Sequence, residues 1–122
     1  MPGNSSSPSP ARSRPVLWED RWGSIAVDFP GGLFGVASSM QNKEAAEAAA
    51  MADCQIAGGK DCNVDLSYYN QCGVVAWGEN YAATASAGTK EKAASRALFL
   101  CGEKTGKCKI YYADCSLPER VE

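Results

Sequence analysis

The sequence predicts an α+β domain in which two copies of a ββαβ unit build an antiparallel sheet, with two helices on one face and disulfide links. Three observations lead to this prediction. The chain repeats its own pattern, polar and apolar residues alternate along one of its strands, and six cysteines occur in 122 residues. Strands and helices that cover one another in this order are typical of the α+β class.

The internal repeat is visible when the two halves of the chain are aligned. GSIAV at 23–27 matches GVVAW at 73–77, and the stretch at 34–54 matches the stretch at 81–101. YYNQC at 68–72 and YYADC at 111–115 give the same spacing of Tyr-Tyr and Cys. We therefore interpret the recurring Tyr-Tyr motif as a consequence of duplication.

The first two strands and the helix of each unit follow in order along the chain. Strands are predicted at Ile25–Phe29 and Phe34–Ser38, with counterparts at Val74–Trp77 and Tyr81–Ser86, each pair joined by turn residues. A helix begins after Asn42 and after Thr89, which are both favourable N-caps. The apolar stripes that would face the sheet are Ala46, Ala50, Met51 and Cys54, then Ala93, Ala97, Leu98 and Cys101.

The third strand closes each unit. CNVDLSYYNQC alternates, with Cys62, Val64, Leu66 and Tyr68 on one face and Asn63, Asp65, Ser67 and Tyr69 on the other. The cysteine pair that bounds the second copy, Cys108 and Cys115, is closer in sequence than Cys62 and Cys72. An odd difference in length reverses the side-chain parity, so a bulge or a shifted strand end is expected there.

The cysteines indicate an oxidising compartment, because disulfides commonly supplement the small core of an exported domain. A pairing that respects the repeat is 54–62, 101–108 and 72–115, in which the third bond would join the two copies. An alternative that also respects the repeat links Cys54 to Cys101 between the helices. The chain has no histidine and no closely spaced cysteine pair, which argues against a zinc site; no metal or other cofactor is expected.

The predicted organisation is a flexible Ser/Pro-rich tail at 1–17, a single domain at 18–117 and a C-terminal tail at 118–122. The repeats would occupy about 22–72 and 73–115. Twelve basic residues against fourteen acidic ones leave a net charge of −2, which argues against nucleic acid as a partner. No apolar run is long enough to span a bilayer. Residues 2–15 contain no signal-peptide core, so if the protein is exported we expect the signal to have been removed.

Three motifs carry a resemblance to a known family: RWGSIAVD at 21–28, KEAAEAAAMADC at 43–54 and YYNQCGVVAWG at 68–78. With them the stretch from Trp22 to Cys115 resembles the bacterial family catalogued as domain of unknown function 4189. The resemblance implies a small exported bacterial protein, in the periplasm or secreted. The family name indicates that no common activity is established for its members, so the resemblance implies no catalytic residue.

The sequence contains no recognisable catalytic set. The absence of histidine excludes the common serine and cysteine triads. Four acids, Asp28, Asp65, Glu79 and Asp114, could in principle form a carboxylate pair, but none lies in a recognisable motif and solvated acids are the ordinary case. We therefore expect no catalytic residues.

Exposed aromatic residues are the remaining signal. Tyr69 falls on the polar face of its strand, while Trp77 and Tyr81 flank a turn that contains Glu79. Exposed Tyr and Trp are favoured at protein interfaces, so these four residues are the candidates for a recognition patch. In the alternative interpretation Trp77 belongs to the core and the tyrosines cover the sheet edge.

The expected function is a non-catalytic, exported protein-binding domain, for example an immunity or inhibitor protein against an envelope-acting toxin or hydrolase. Three alternatives stay open. They are a secreted effector that acts on another cell or host, an enzyme of an unfamiliar kind with acids converging in a pocket, and an envelope module attached through the Ser/Pro tail.

Overall fold

A computed structural model of the chain describes residues 16–121 and confirms the α+β class. The elements are β1 (Leu17–Glu19), β2 (Trp22–Asp28), β3 (Leu33–Met40), α1 (Lys43–Ile56), β4 (Asn63–Tyr69), β5 (Gln71–Trp77), β6 (Ala82–Ala87), α2 (Lys90–Gly102), β7 (Lys109–Ser116) and β8 (Glu119–Val121). The order strand, strand, helix, strand occurs twice, first from β2 to β4 and then from β5 to β7.

The strands of these two units form two sheets, where a single sheet was expected. Their orders are β3-β2-β4 and β6-β5-β7, and all neighbours are antiparallel. Only Asn70 separates β4 from β5, and its left-handed backbone (φ 55°) turns the chain sharply from one sheet into the next. Asn70 also donates its backbone N–H to the carbonyl of Arg21 at 3.0 Å, which fixes the crossing.

The two sheets pack face to face, and each helix covers the outer face of its own sheet. Ile25 in β2 lies against Val75 in β5, in the layer between the sheets. The next residue, Ala26, faces the other way and packs with Ala50 and Cys54 of α1. Because β2 and β5 are buried on both faces, each needs a cover on either side. The expectation that both helices lie on one face of a single sheet is therefore corrected to four layers, helix, sheet, sheet and helix.

The helices begin where the sequence predicts. The Asn42 side chain accepts a hydrogen bond from the N–H of Ala45 at 2.8 Å, and the Thr89 hydroxyl accepts one from the N–H of Lys92 at 3.2 Å. The residues buried against the sheets are Ala46, Ala50 and Cys54 in α1 and Ala93, Ala97 and Cys101 in α2. The stripes are narrower than predicted, since Met51 is half-buried and Leu98 exposed. Alanine lets each helix approach its sheet closely.

Three disulfides join Cys54 to Cys62, Cys101 to Cys108 and Cys72 to Cys115. The first two tie the end of each helix to the strand that follows it. This is the predicted pairing, but the third bond does not join the two copies, because Cys72 lies in β5 and pairs directly with Cys115 in β7 of the same sheet. All six cysteines are bonded, which indicates an oxidising, extracytoplasmic environment.

The two Tyr-Tyr motifs do not occupy corresponding positions in the two sheets. Gly23 in β2 pairs with Tyr68, whereas Gly73, at the same place in β5, pairs with Asp114. One step earlier, Trp22 pairs with Tyr69 through rings 4.8 Å apart, and Cys72 pairs with Cys115. An aromatic pair in the first sheet thus takes the place of a disulfide in the second. The repeated Tyr-Tyr motif therefore does not mark equivalent positions in the two sheets.

The expected strand irregularity occurs in both units. The pairing of β4 with β2 skips Asp65, and the pairing of β7 with β5 skips Tyr111. Each skipped residue is a β-bulge, which bends the strand and redirects its side chains. The simple alternation predicted for 62–72 therefore holds only on either side of Asp65.

The ring of Tyr68 lies in the layer between the sheets, and two glycines make room for it. A Cβ atom on Gly23 or on Gly73 would overlap the ring. The side chain is 3 % exposed, and its hydroxyl lies near Ser116 and Tyr112. Burial raises the pKa of Tyr68 above its ordinary value. The ring therefore stabilises the fold through packing.

The ends of the described chain form a short ribbon, in place of the tails expected at residue 17 and beyond 118. β1 pairs antiparallel with β8. The buried guanidinium of Arg21 donates to Glu19 at 3.1 Å and to Glu119 at 2.8 Å, so it fastens both strands to the domain. The Ser/Pro-rich segment up to residue 15 lies outside the described residues.

No helix between residues 16 and 121 is long and apolar enough to cross a membrane.

Substituting Gly23→Ala or Gly73→Ala is expected to destabilise the protein by about 1–3 kcal/mol, because the added methyl overpacks the slot that holds Tyr68. Gly88→Ala is the control, since its Cβ would meet no atom within 4 Å. The measurement is urea unfolding with the disulfides intact. In a Tyr68→Leu background, Gly23→Ala should lower the free energy of unfolding by less than it does in the wild type. An equal cost in both backgrounds would contradict this account of the slot.

Candidate functional site

A cleft of about 400 Å³ opens where the β2–β3 turn meets the first residues of β4 and β6. It combines aromatic, carboxylate and amide side chains. Its lining residues are Val27, Phe29, Pro30, Asp61, Asn63, Asp65, Tyr81 and Ala82. Concave surfaces of this mixed composition are the usual place for a binding site.

The aromatic side of the cleft is supported from behind by the core. The Phe29 ring stacks on Trp77, with centroids 5.9 Å apart and planes 16° from parallel. Trp77 is half-buried between the sheets and lies 6.4 Å from Phe34. Phe29 itself is 45 % exposed and Tyr81 is 36 % exposed. Both rings are therefore accessible, and Phe29 rests on a fixed base.

A buried carboxylate connects the two loops that build the cleft. Asp28 accepts a hydrogen bond from the N–H of Gly31 at 2.9 Å and another from the N–H of Lys60 at 3.0 Å. It also accepts a longer one from the N–H of Asp61 at 3.4 Å. The bond from Gly31 is the main reason that the pKa of Asp28 is lowered, while burial opposes the shift. Asp28 thus holds Phe29 and Asp61 in place without facing the cleft itself.

The loop between α1 and β4 is fixed a second time by the Cys54–Cys62 disulfide. Gly59 donates its N–H to the carbonyl of Cys54 at 3.0 Å, and a side chain at Gly59 would overlap the sulfur of Cys62. Gly58 adopts a φ of 106°, which residues with side chains rarely adopt. These constraints place Asp61 at the mouth of the cleft.

Two carboxylates of the cleft carry no counter-charge. Asp65 is the bulged residue of β4, and it accepts a hydrogen bond from the Thr84 hydroxyl at 2.7 Å. Within residues 16–121 neither Asp65 nor Asp61 forms an ion pair. Both residues are exposed. The cleft is therefore a negatively charged surface with aromatic walls.

The four predicted recognition residues lie in three places. Tyr81 lines the cleft and Trp77 supports its floor. Glu79 forms an ion pair with Lys107 at 3.7 Å and does not line the cleft. Tyr69 lies at the far end of β4, where its ring packs against that of Trp22 with the two planes tilted by 30°.

Tyr69 lines a second, more open cavity of about 420 Å³ that runs along the same strand. Asp65 lines both cavities, so they meet at the bulge. β4 is an edge strand, and β6 of the other sheet lies across from it. One side of the sandwich thus carries both Tyr69 and Tyr81, although the two residues are separated by the length of β4.

The four acids considered for a carboxylate pair are not gathered in one pocket. Only Asp65 lines the cleft, while Asp28 is engaged by backbone N–H groups and Glu79 by Lys107. Asp114 accepts a hydrogen bond from the N–H of Cys115 at 2.9 Å. It lies near Tyr112, whose pKa is raised mainly by burial. In the described part of the chain no three His, Cys, Asp or Glu side chains are placed to hold a metal ion.

Sequence reasoning missed Phe29 and Asp61 as site residues and treated Asn63 only as part of a polar strand face. Two signals point to them. The spacing Asp61, Asn63, Asp65 places three oxygen-bearing side chains at alternate positions, and the turn DFPGGL carries an exposed ring. Neither signal shows by itself that the turn and the strand meet, because that contact depends on Asp28.

The fold and the site define a class, a small disulfide-linked α+β domain with an acidic aromatic cleft. A family model described as a domain of unknown function (DUF4189) matches residues 22–115. The chain belongs to this family, which confirms the resemblance seen in the sequence. The match runs from the start of β2 nearly to the end of β7, and so covers both sheets and helices. Searches of curated proteins and of solved structures found no match.

Replacing Asp28→Asn is expected to lower stability at neutral pH, because an amide nitrogen cannot accept the hydrogen bonds that the carboxylate accepts. The folded pKa of Asp28 lies below its unfolded value of about 3.9. Its contribution is therefore present above that pH and lost as the pH falls through the folded pKa. Urea midpoints measured from pH 7 to pH 2 should decline less steeply for Asp28→Asn than for the wild type.

Asp61→Asn is the matched control for this series, since the Asp61 carboxylate forms no ion pair with any residue from 16 to 121. Its urea midpoints should follow the wild type across the whole pH range. Identical acid dependence in the wild type and in Asp28→Asn would show that Asp28 does not clamp the two loops.

Proposed function

We propose that this protein is a non-catalytic, exported binding domain that recognises a protein partner through the cleft. The observation that carries the proposal is the pairing of two exposed rings, Phe29 and Tyr81, with two carboxylates that form no ion pair in the described part of the chain. Aromatic residues contribute much of the energy at protein interfaces, because they bury a large area at a low cost in conformational entropy.

The rigidity of the frame also supports a binding role. Phe29 rests on Trp77, and the Asp28 hydrogen bonds and the Cys54–Cys62 disulfide hold the loop that carries Asp61. A preformed site loses little entropy on binding, so more of the contact energy appears as affinity. A cleft of about 400 Å³ suits one or two inserted side chains rather than a whole domain.

The biological role we favour is that of an immunity or inhibitor protein, located in the periplasm or secreted, that neutralises an envelope-acting toxin or hydrolase. Three disulfides suit a protein that works outside the cytoplasm. A net charge of −2 and an acidic cleft suit a partner with a basic contact surface.

Tyr81→Ala is expected to abolish or strongly weaken capture of the partner, because it removes one wall of the cleft. The wild type and each variant, in oxidised form, serve as bait for envelope and culture-medium proteins of the parent organism, with mass spectrometry of what binds. Tyr111→Ala is the matched control, since Tyr111 is 60 % exposed on the bulge of β7 in the other sheet. It should retain the partner that Tyr81→Ala loses.

The proposal would be contradicted by a stoichiometric partner that Tyr81→Ala keeps and Tyr111→Ala loses, since the binding surface would then be β7. The absence of any stoichiometric partner, where a known toxin–immunity pair is recovered under the same conditions, would also count against it. Urea unfolding of both variants separates a loss of binding from a loss of fold.

A further inference from the structure

We infer that the cleft binds the cationic end of an arginine or lysine side chain that the partner inserts. This inference rests on the proposed function and names the chemistry of the recognised group. Three observations support it: the aromatic side chains that line the cleft, the negative charge of the cleft, and the absence of that charge at the corresponding place in the second unit.

The aromatic walls suit an organic cation. The face of a phenyl or phenol ring is negatively polarised, so an ammonium or guanidinium group within about 6 Å of the ring centre is attracted to it. Phe29 and Tyr81 both line the cleft and keep exposed surface there. The methylene stem of the inserted side chain would cover the remaining apolar surface of Val27 and Pro30.

The polar groups of the cleft complement a cation with several N–H donors. Asp61 and Asp65 supply carboxylate oxygens, and Asn63 supplies an amide oxygen as a further acceptor. Among residues 16–121 no lysine or arginine lines the cleft to compete for them. A planar guanidinium can donate to two acceptors at once, which makes arginine the better fit of the two side chains.

The same oxygens raise the question of a metal ion such as Ca²⁺. Calcium takes six to eight oxygen ligands at about 2.3–2.6 Å. This cleft offers two carboxylates and one amide, and Asp65 already accepts a hydrogen bond from Thr84. Four of the other lining residues, Val27, Phe29, Pro30 and Ala82, have no side-chain oxygen to offer a metal ion. The composition therefore favours an organic cation.

The second unit lacks this acidic character at the corresponding place. Asn63 pairs with Val27 in the first sheet, and Lys109 pairs with Trp77 in the second. The bulged residue is Asp65 in β4 and Tyr111 in β7. The negative charge thus belongs to one side of the sandwich and does not follow from the ββαβ arrangement that both units share.

The test uses Nα-acetyl-L-arginine amide as the probe, followed by amide shifts of the ¹⁵N-labelled, oxidised protein. Nα-acetyl-L-citrulline amide is the control, because it has nearly the same shape without the charge. We expect arginine amide to shift the amide resonances of residues 29, 31, 61–65 and 81–82, with citrulline amide at least about tenfold weaker. Raising the ionic strength from 0.01 to 0.15 M should weaken the arginine response, because the screening length falls from about 30 Å to about 8 Å.

Variants separate the two kinds of contact. Asp61→Asn combined with Asp65→Asn should weaken arginine amide binding about tenfold, and Tyr81→Ala about threefold. Glu103→Gln removes an exposed carboxylate that lies outside the cleft and should leave binding unchanged. Equal binding of citrulline amide, or wild-type binding by the double variant, would overturn the inference. So would CaCl₂ that shifts the same residues at a lower concentration than arginine amide.

The outcome is distinguishable from failure of the proposed function. If the cleft does not bind arginine amide but Tyr81→Ala still loses the captured partner, the protein-binding role is kept. Only the inference that the recognised group is a cation is then refuted. A cleft that binds arginine amide while no partner depends on Tyr81 would refute the protein-binding role instead.

Discussion

The close approach of the two sheets around Tyr68 is the constraint on which the rest of the structure depends. Gly23 and Gly73 lie at the same place in the two central strands, and the ring fills the space that their missing side chains leave. Because the slot admits one ring, only one unit can place an aromatic side chain there. The other unit has Asp114 at the corresponding position. The two units therefore differ at this point, although their strands and helices follow in the same order.

The cleft lies at the opposite end of the two central strands, and its shape depends on the same packing of the two sheets. Trp77 lies between the sheets and carries Phe29 on its outer side, so the distance between the sheets sets the position of the aromatic wall. Asp28, the last residue of β2, then joins the turn to the loop before β4. The exposed rings and carboxylates are therefore held by buried groups that the partner would never touch.

Local signals explain why much of the fold could be predicted from the sequence. The N-caps Asn42 and Thr89, the alanine stripes and the element order all depend on neighbours within a few positions. The chain crosses from one sheet into the other at Asn70, whose left-handed conformation is common for asparagine, but a single asparagine does not show where a sheet ends. The two Tyr-Tyr motifs match in sequence, but their strands pair in different registers. Tyr68 lies opposite Gly23, whereas Asp114 lies opposite Gly73, and this difference is visible only in the structure. The cleft was missed because Phe29 and Asp61 are brought together by the buried Asp28 carboxylate.

The most direct test of the central claim, that a cleft built by buried groups is the recognition surface, is hydrogen–deuterium exchange of the oxidised domain alone and in complex with its captured partner. We predict that binding slows exchange at 28–31, 60–65 and 81–82 and leaves α2 and β7 unchanged. Slowed exchange confined to α2 and β7, with those three segments unaffected, would contradict the account and move the recognition surface to the second sheet.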